Sequence, residues 1–256
     1  MSPNHARVLI TGAAAGIARG LAKTLAEDGY AVAITCRPGG TDPAAALAEI
    51  GAAGRSLGAF PIDFLADETD VVNRMEAVAH SAGPFDVLIH AVGPMKIARF
   101  ERSTLQDYHA MIDGNLRSAI IAAATVLPAM RERRFGRLVF FGLNGAHATH
   151  PARGLSLHVA AKAGLVAFAR TLATEEGRYG ITVNVVEPGD IREKSLSRER
   201  ARLARAANPR ERAGSWEDVA AAVRFFIDPQ NDFINGAVLG VNGGLSEPGE
   251  QNAPPP

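Results

Sequence analysis

The sequence predicts an α/β domain with a doubly wound, mainly parallel seven-stranded sheet and helices on both faces. Three observations predict it. Short apolar runs alternate with helix-length segments from residue 7 to residue 241. The runs are continuously apolar rather than alternating, which is the pattern of strands covered on both faces. The chain has 256 residues, 47% of them hydrophobic, enough for one large core, and no linker or internal repeat divides it.

The elements follow in order. Residues 7–11 (RVLIT) form the first strand, and helical spacing covers 17–28 until Gly29 ends it. Residues 31–36 (AVAITC) form the second strand. A helix over 42–53 starts with Asp42 as N-cap and Pro43 at the first helical position. Residues 57–62 are the third strand, 68–82 a helix and 87–91 the fourth strand. A long helical stretch spans 105–133, with a break or shift expected at Pro128, which has no N–H to donate. Strands over 137–142, 181–186 and 237–241 complete the sheet, with helices over 157–179 and 216–227 between them. The least regular internal stretch, 189–214, is where a lid would fall. The domain therefore covers 1–245, and the polar, Pro-rich residues 246–256 form a tail expected to be disordered.

Composition narrows the function classes. Lys+Arg and Asp+Glu both number 27, so no overall charge draws the chain to nucleic acid. The short polar start leads straight into a strand and leaves no room for a signal peptide. No transmembrane helix and no metal site are expected. The single Cys36 cannot pair within the chain and reads as a small packing residue. A cytoplasmic location is the expectation.

The chemistry-bearing segments begin with Thr11-Gly12-Ala13-Ala14-Ala15-Gly16-Ile17-Ala18, directly after the first strand and opening the first helix. A glycine turn there lets backbone N–H groups approach a pyrophosphate at the positive end of the helix. Asp63 and Phe64 follow the third strand, His90-Ala91-Val92-Gly93 the fourth, and Asn184-Val185-Val186-Glu187-Pro188-Gly189 closes the sixth. Leu157-His158-Val159-Ala160-Ala161-Lys162 opens a helix on which His158 and Lys162 share one face. Gly236 to Gly244 ends the sheet in a glycine pair.

Taken together, and in this order, these segments resemble the short-chain dehydrogenase/reductase family, and 3-oxoacyl-acyl-carrier-protein reductases within it. The resemblance implies a Rossmann fold and a nicotinamide dinucleotide. The first turn resembles Thr-Gly-x-x-x-Gly-x-Gly, with Ala18 at the third glycine and Gly12, Ala15, Gly16 and Ile17 at the cofactor. An acidic residue at the end of the second strand would favour NAD. Here Cys36 and Arg37 stand instead, and Arg37 suits a ribose 2′-phosphate, so NADP(H) is expected. The alternative is a solvated loop arginine. Asp63 resembles the family's adenine-binding aspartate, or else caps a strand. Ala91 and Gly93 let the backbone pass close to the cofactor, and His90 reads as a packed, hydrogen-bonded residue. Pro188, Gly189 and Ile191 resemble the turn over the nicotinamide.

At the reacting end the family uses Tyr-x-x-x-Lys, a serine and an asparagine. Lys162 and Asn115 match, and His158 stands in the tyrosine's place. By resemblance Lys162 binds the nicotinamide ribose and Asn115 holds a water. No serine fits: the strand end reads Gly142-Leu143-Asn144-Gly145, so Asn144 or the Gly145 N–H is the candidate to polarise a carbonyl. His158 either handles the proton, since an unperturbed imidazole titrates near neutral pH, or only fills the pocket. His147 and His150 lie in the loop between and either reach inward or stay at the surface.

The stretch carrying Arg192, Lys194, Arg198, Arg200, Arg202, Arg205, Arg210 and Arg212 is either a basic lid for an anionic substrate or a solvated face. The same alternatives hold for Arg131, Arg133, Arg134 and Arg137. The expected function is an NADP(H)-dependent oxidoreductase acting on a small or carrier-bound carbonyl or alcohol, as a homotetramer or homodimer through its long helices. The alternative is a dinucleotide-binding protein of weak or no activity.

Overall fold

The computed structural model describes residues 6–191 and 197–245. The strands are β1 Arg7–Thr11, β2 Ala31–Cys36, β3 Ser56–Pro61, β4 Val87–His90, β5 Gly136–Phe141, β6 Ile181–Pro188 and β7 Val238–Val241. They stand in the order β3-β2-β1-β4-β5-β6-β7, and every pairing is parallel. The helices are α1 Gly16–Glu27, α2 Ala44–Ala52, α3 Glu68–Ala82, α4 Leu105–Ile112, α5 Ser118–Arg133, α6 Ser156–Glu176, α7 Arg198–Ala201 and α8 Trp216–Ile227. The doubly wound sheet expected from the apolar runs is the one that forms.

Continuously apolar strands serve both faces. Val8 and Ile10 of β1 pack into the core under α1, α2 and α8, while Leu9 packs into the core under α3, α5 and α6. Trp216, at the start of α8, lies against Gly20 of α1, where a Cβ would come within 2.4 Å of the indole. Local signals set the helix starts. Asp42 Oδ1 accepts from the Ala44 N–H at 2.9 Å, but α2 begins at Ala44 with Pro43 rather than Asp42 at its N-cap. Asp67 caps α3, and Ser215 and Asp218 form a reciprocal capping box on α8.

The long helical stretch breaks elsewhere than the sequence predicts. The chain stays helical through Pro128, inside α5. Residues 124 and 128 are both exposed, so the Ala124 carbonyl that loses its donor faces water. The interruption is a π-helical turn over Asp113–Arg117, between α4 and α5. Such a turn adds a residue to the helical cycle and re-aims side chains. The stretch Leu105–Arg133 is long and apolar enough to cross a membrane by length and composition, but 56% of its most apolar window is buried in the fold, the setting of a core helix.

The 131–137 arginine cluster is engaged within the protein, and the lid cluster only in part. Arg131 forms a forked pair with Glu176 at the end of α6. Arg133 donates to the Phe85 carbonyl and to Asp86. Arg137 is buried and donates to the carbonyls of Gly136, Gly180 and Pro229. In the lid stretch, Arg198 and Arg212 both bind Asp218, at 3.2 and 2.8 Å. Arg192 and Lys194 lie outside the described residues, as does the 246–256 tail.

Candidate active site

The sheet's strand order reverses at β1, which lies between β2 and β4. Crossovers therefore leave on opposite faces at that point and open a crevice at the C-terminal ends of the strands. One half of the groove, about 280 Å³, is lined by Gly12, Cys36, Arg37, Asp63, Phe64, Ala91 and Gly93. The other half, about 430 Å³, runs from Gly12, Ala15, Gly16 and Ile17 to Leu143, His158, Lys162, Pro188, Gly189 and Ile191. Gly12, Ala91 and Gly93 border both halves, which makes them one continuous groove.

At its middle, Gly12 and Gly16 take φ of +68° and +64°, a left-handed conformation that favours glycine. The N–H groups of Gly12 and Ala13 are turned away, to Thr35 Oγ1 and Thr35 O. The start of α1 has no such partner: its N-cap is Ala15, and no side chain caps it. The first turn of α1 therefore presents Ala15, Gly16 and Ile17 to the groove without a side-chain cap. At the far end, Arg37 is 69% exposed at the rim, with Nε 4.0 Å from Asp63 Oδ2 in a long ion pair. Cys36 borders this end, and burial pushes its thiol pKa up, keeping it protonated.

Beneath the groove, buried polar groups knit β1, β4 and the π turn together. The Ala91 N–H donates to Thr11 Oγ1 at 3.1 Å, and Thr11 Oγ1 lies 3.0 Å from His90 Nδ1. His90 Nε2 lies 2.9 Å from Ser118 Oγ, which donates to the Gly114 carbonyl at 2.8 Å. His90 is thus the packed, hydrogen-bonded residue expected.

At the reacting end, Lys162 is buried and donates from Nζ to the Phe141 carbonyl at 2.6 Å. Asn115 sits in the π turn, where its Nδ2 donates to the Met111 and Pro94 carbonyls, both at 2.9 Å. Its Oδ1 is buried with no hydrogen-bond partner. A Cβ on Gly93 would lie 3.1 Å from this oxygen and 3.2 Å from Lys162 Nζ. The amide oxygen and the ammonium therefore both meet the groove floor at a residue with no side chain. His158 is buried one turn before Lys162 on α6 and borders the same space.

The groups offered for the serine's place do not face the groove. Asn144 is not among its lining residues, and its Oδ1 accepts from Asn242 Nδ2 at 2.7 Å. The Gly145 N–H donates to Glu187 Oε2 at 3.0 Å. Leu143 takes the wall instead. His147 stays exposed and off the groove, with its Nδ1 2.8 Å from buried Glu187 Oε2. Sequence reasoning passed over Glu187 and Met95, which lines the same half of the groove. The signal for Glu187 was a charged residue near the end of an otherwise uncharged strand. Among the described residues no cluster of His, Cys, Asp or Glu is placed to hold a metal ion.

Residues 12–246 match the family model described as enoyl-(acyl carrier protein) reductase. The chain is 32% identical to the 3-oxoacyl-[acyl-carrier-protein] reductase FabG of Escherichia coli (strain K12), over 93% of this chain and 96% of that one. It is 30% identical to the 3-oxoacyl-[acyl-carrier-protein] reductase MabA of Mycobacterium tuberculosis (strain ATCC 25618 / H37Rv), over 93% and 92%. Among solved structures, a blue fluorescent protein from a metagenomic library, in complex with NADPH, superposes with a TM-score of 0.83 at 28% identity, covering 96% of this chain and all of that one.

Proposed function

The chain belongs to the short-chain dehydrogenase/reductase family, and from that membership we propose an NADP(H)-dependent oxidoreductase with an atypical active site, acting on a carbonyl or alcohol carbon. The observation that carries this reading is the continuous groove from Arg37 to His158, with the uncapped start of α1 at its middle. The residues present suit the dinucleotide. The Ala15–Ile17 backbone would hold the pyrophosphate, Arg37 the 2′-phosphate and Asp63 the adenine. Lys162 would hold the nicotinamide ribose, and Pro188, Gly189 and Ile191 the nicotinamide itself. Bound there, the dinucleotide supplies or accepts hydride.

The chain's own groups divide the remaining work. The Lys162 cation stabilises negative charge developing on the substrate oxygen. Asn115 Oδ1, lacking a protein donor, accepts from a water placed between it and Lys162. His158 stands in the position of the family's tyrosine and holds the proton passed to or from the substrate oxygen, directly or through a water. The relatives are named for carrier-bound acyl substrates, and a carrier-bound or small carbonyl compound is the substrate class this reading takes. Exposed Arg200, Arg202 and Arg210 on the lid suit an anionic carrier. Association into a dimer or tetramer is supported by exposed Ile120 on α5 and exposed Leu239 on β7, the sheet's edge strand. A single cysteine suits a reducing, cytoplasmic setting.

One observation favours a second reading, a dinucleotide-binding protein with little turnover: apolar Leu143 lines the wall where a polarising hydroxyl belongs. NADPH fluorescence titration, with turnover of a carbonyl panel by wild type, His158→Phe and His158→Tyr, separates the two. An active wild type that loses about 100-fold or more in His158→Phe supports the oxidoreductase. Turnover by His158→Tyr alone favours the second reading, and failure to bind NADPH removes both.

A further inference from the structure

Glu187, at the end of β6, is a buried charge that the mechanism above leaves unused; it is 1% exposed. Its carboxylate serves a single turn. Oε2 accepts from the Gly145 N–H at 3.0 Å and lies 2.8 Å from His147 Nδ1, and Oε1 accepts from the His147 N–H at 3.1 Å. A carboxylate is tolerated out of water only when donors saturate it, and this turn supplies them. Glu187 also fills the room beside Gly142. A Cβ on that glycine would lie 2.7 Å from Glu187 Cγ and 3.0 Å from Oε1.

The location gives the contact its meaning. Gly142 and Leu143 form one wall of the groove beside His158, while Pro188 and Gly189, the next residues after Glu187, form another. The carboxylate therefore joins the loop before α6 to the end of β6 from beneath.

We propose that Glu187 is a positioning residue that sets the spacing of these two walls. It holds the 142–147 turn down, keeps Leu143 at the groove and shuts out any side chain at position 142. The proposal rests on the dinucleotide reading only for what occupies the groove.

Hydrogen exchange and NADPH titration on the full chain test it. Glu187→Gln keeps the shape but turns an N–H donor toward a turn that itself presents donors. The Gly145 and His147 amides should then exchange about tenfold faster, with β1 and β4 amides unchanged. NADPH affinity should fall several-fold. Should that variant fail to fold, His147→Ala removes one of the three bonds from the rim, and faster exchange at Gly145 is expected. A further check pairs Gly142→Ala with Glu187→Ala: the double variant should bind NADPH better than the sum of the single losses allows. Unchanged exchange at Gly145 in the folded variant, or strictly additive losses, overturns the proposal. Failure of the wild type to bind NADPH would sink the dinucleotide reading while leaving the exchange result to stand.

Discussion

Thr11 Oγ1 and His90 Nδ1 are 3.0 Å apart, and the direction of that hydrogen bond is fixed by its neighbours. Ser118 Oγ gives its proton to the Gly114 carbonyl, so it must accept from His90 Nε2–H. Thr11 Oγ1 already accepts from the Ala91 N–H and gives its own proton to Nδ1. His90 is therefore a neutral ring with its hydrogen on Nε2, joining the ends of β1 and β4 to the π turn and the start of α5.

Burial, and next the charge of Lys162, lower the His90 pKa to about 3. An unfolded histidine titrates near 6.5, so as pH falls below that value the unfolded chain takes up a proton that the native one refuses. Stability is thus lost from about pH 6.5 down toward 3, with a slope from this residue of about 1.4 kcal/mol per pH unit. Urea unfolding across that range should show His90→Asn with a shallower acid loss than wild type. Parallel curves would remove the assignment.

Gly93→Ala should fold and bind NADPH poorly. The added methyl group meets Asn115 Oδ1 and Lys162 Nζ at 3.1 and 3.2 Å, both held in place by carbonyl contacts. Overpacking of this kind costs about 1–3 kcal/mol, and where binding must bear that cost the affinity falls about 5- to 150-fold. Fluorescence titration measures it, and an unchanged Kd would show that the groove floor is not where the nucleotide passes.

Arg37→Ala should separate the two nicotinamide cofactors. A charge-assisted contact to a phosphate contributes about 1.5–3 kcal/mol, so NADPH affinity should drop roughly 10- to 100-fold with NADH little affected. Equal losses for both, or a wild type that prefers NADH, would return Arg37 to the status of a solvated side chain.

Asp218 ties the lid to α8. Burial alone would raise its pKa, but the Arg212 guanidinium and the Ser215 N–H bring it down to about 2. A depressed carboxylate stabilises the fold above its unfolded value near 4 and loses that contribution as pH falls toward 2. Ser215→Ala should cost about 1 kcal/mol as a lost cap, and Asp218→Asn more, since it also releases Arg198 and Arg212. Thermal unfolding at neutral pH should rank the two in that order, and the Asp218→Asn deficit should shrink in acid.

The fold was largely legible because the apolar runs end at turn residues. β1, β2, α3 and α8 have the bounds the sequence implies. The groove's glycines were legible because they follow those runs, and Lys162, inside α6, through the Leu157–Lys162 motif. The π turn was not, because DGNLR has nothing in its spacing to set it apart from an α-helix, and Pro128 offered a more visible interruption. Asn144 was misread because its partner Asn242 lies 98 residues away, and periodicity carries no record of a contact at that range. Glu187 was seen only as part of a motif, since its role depends on a turn forty residues earlier in the chain.

The chain has a single tryptophan, and its indole is wedged against Gly20 where α8 meets α1. Intrinsic emission excited at the red edge is therefore a one-site optical reporter of that seam. Unfolding followed by this signal registers the parting of the helix layer formed by α1 and α8, whereas circular dichroism averages over every helix. Any lag between the two signals would measure how independently that layer opens.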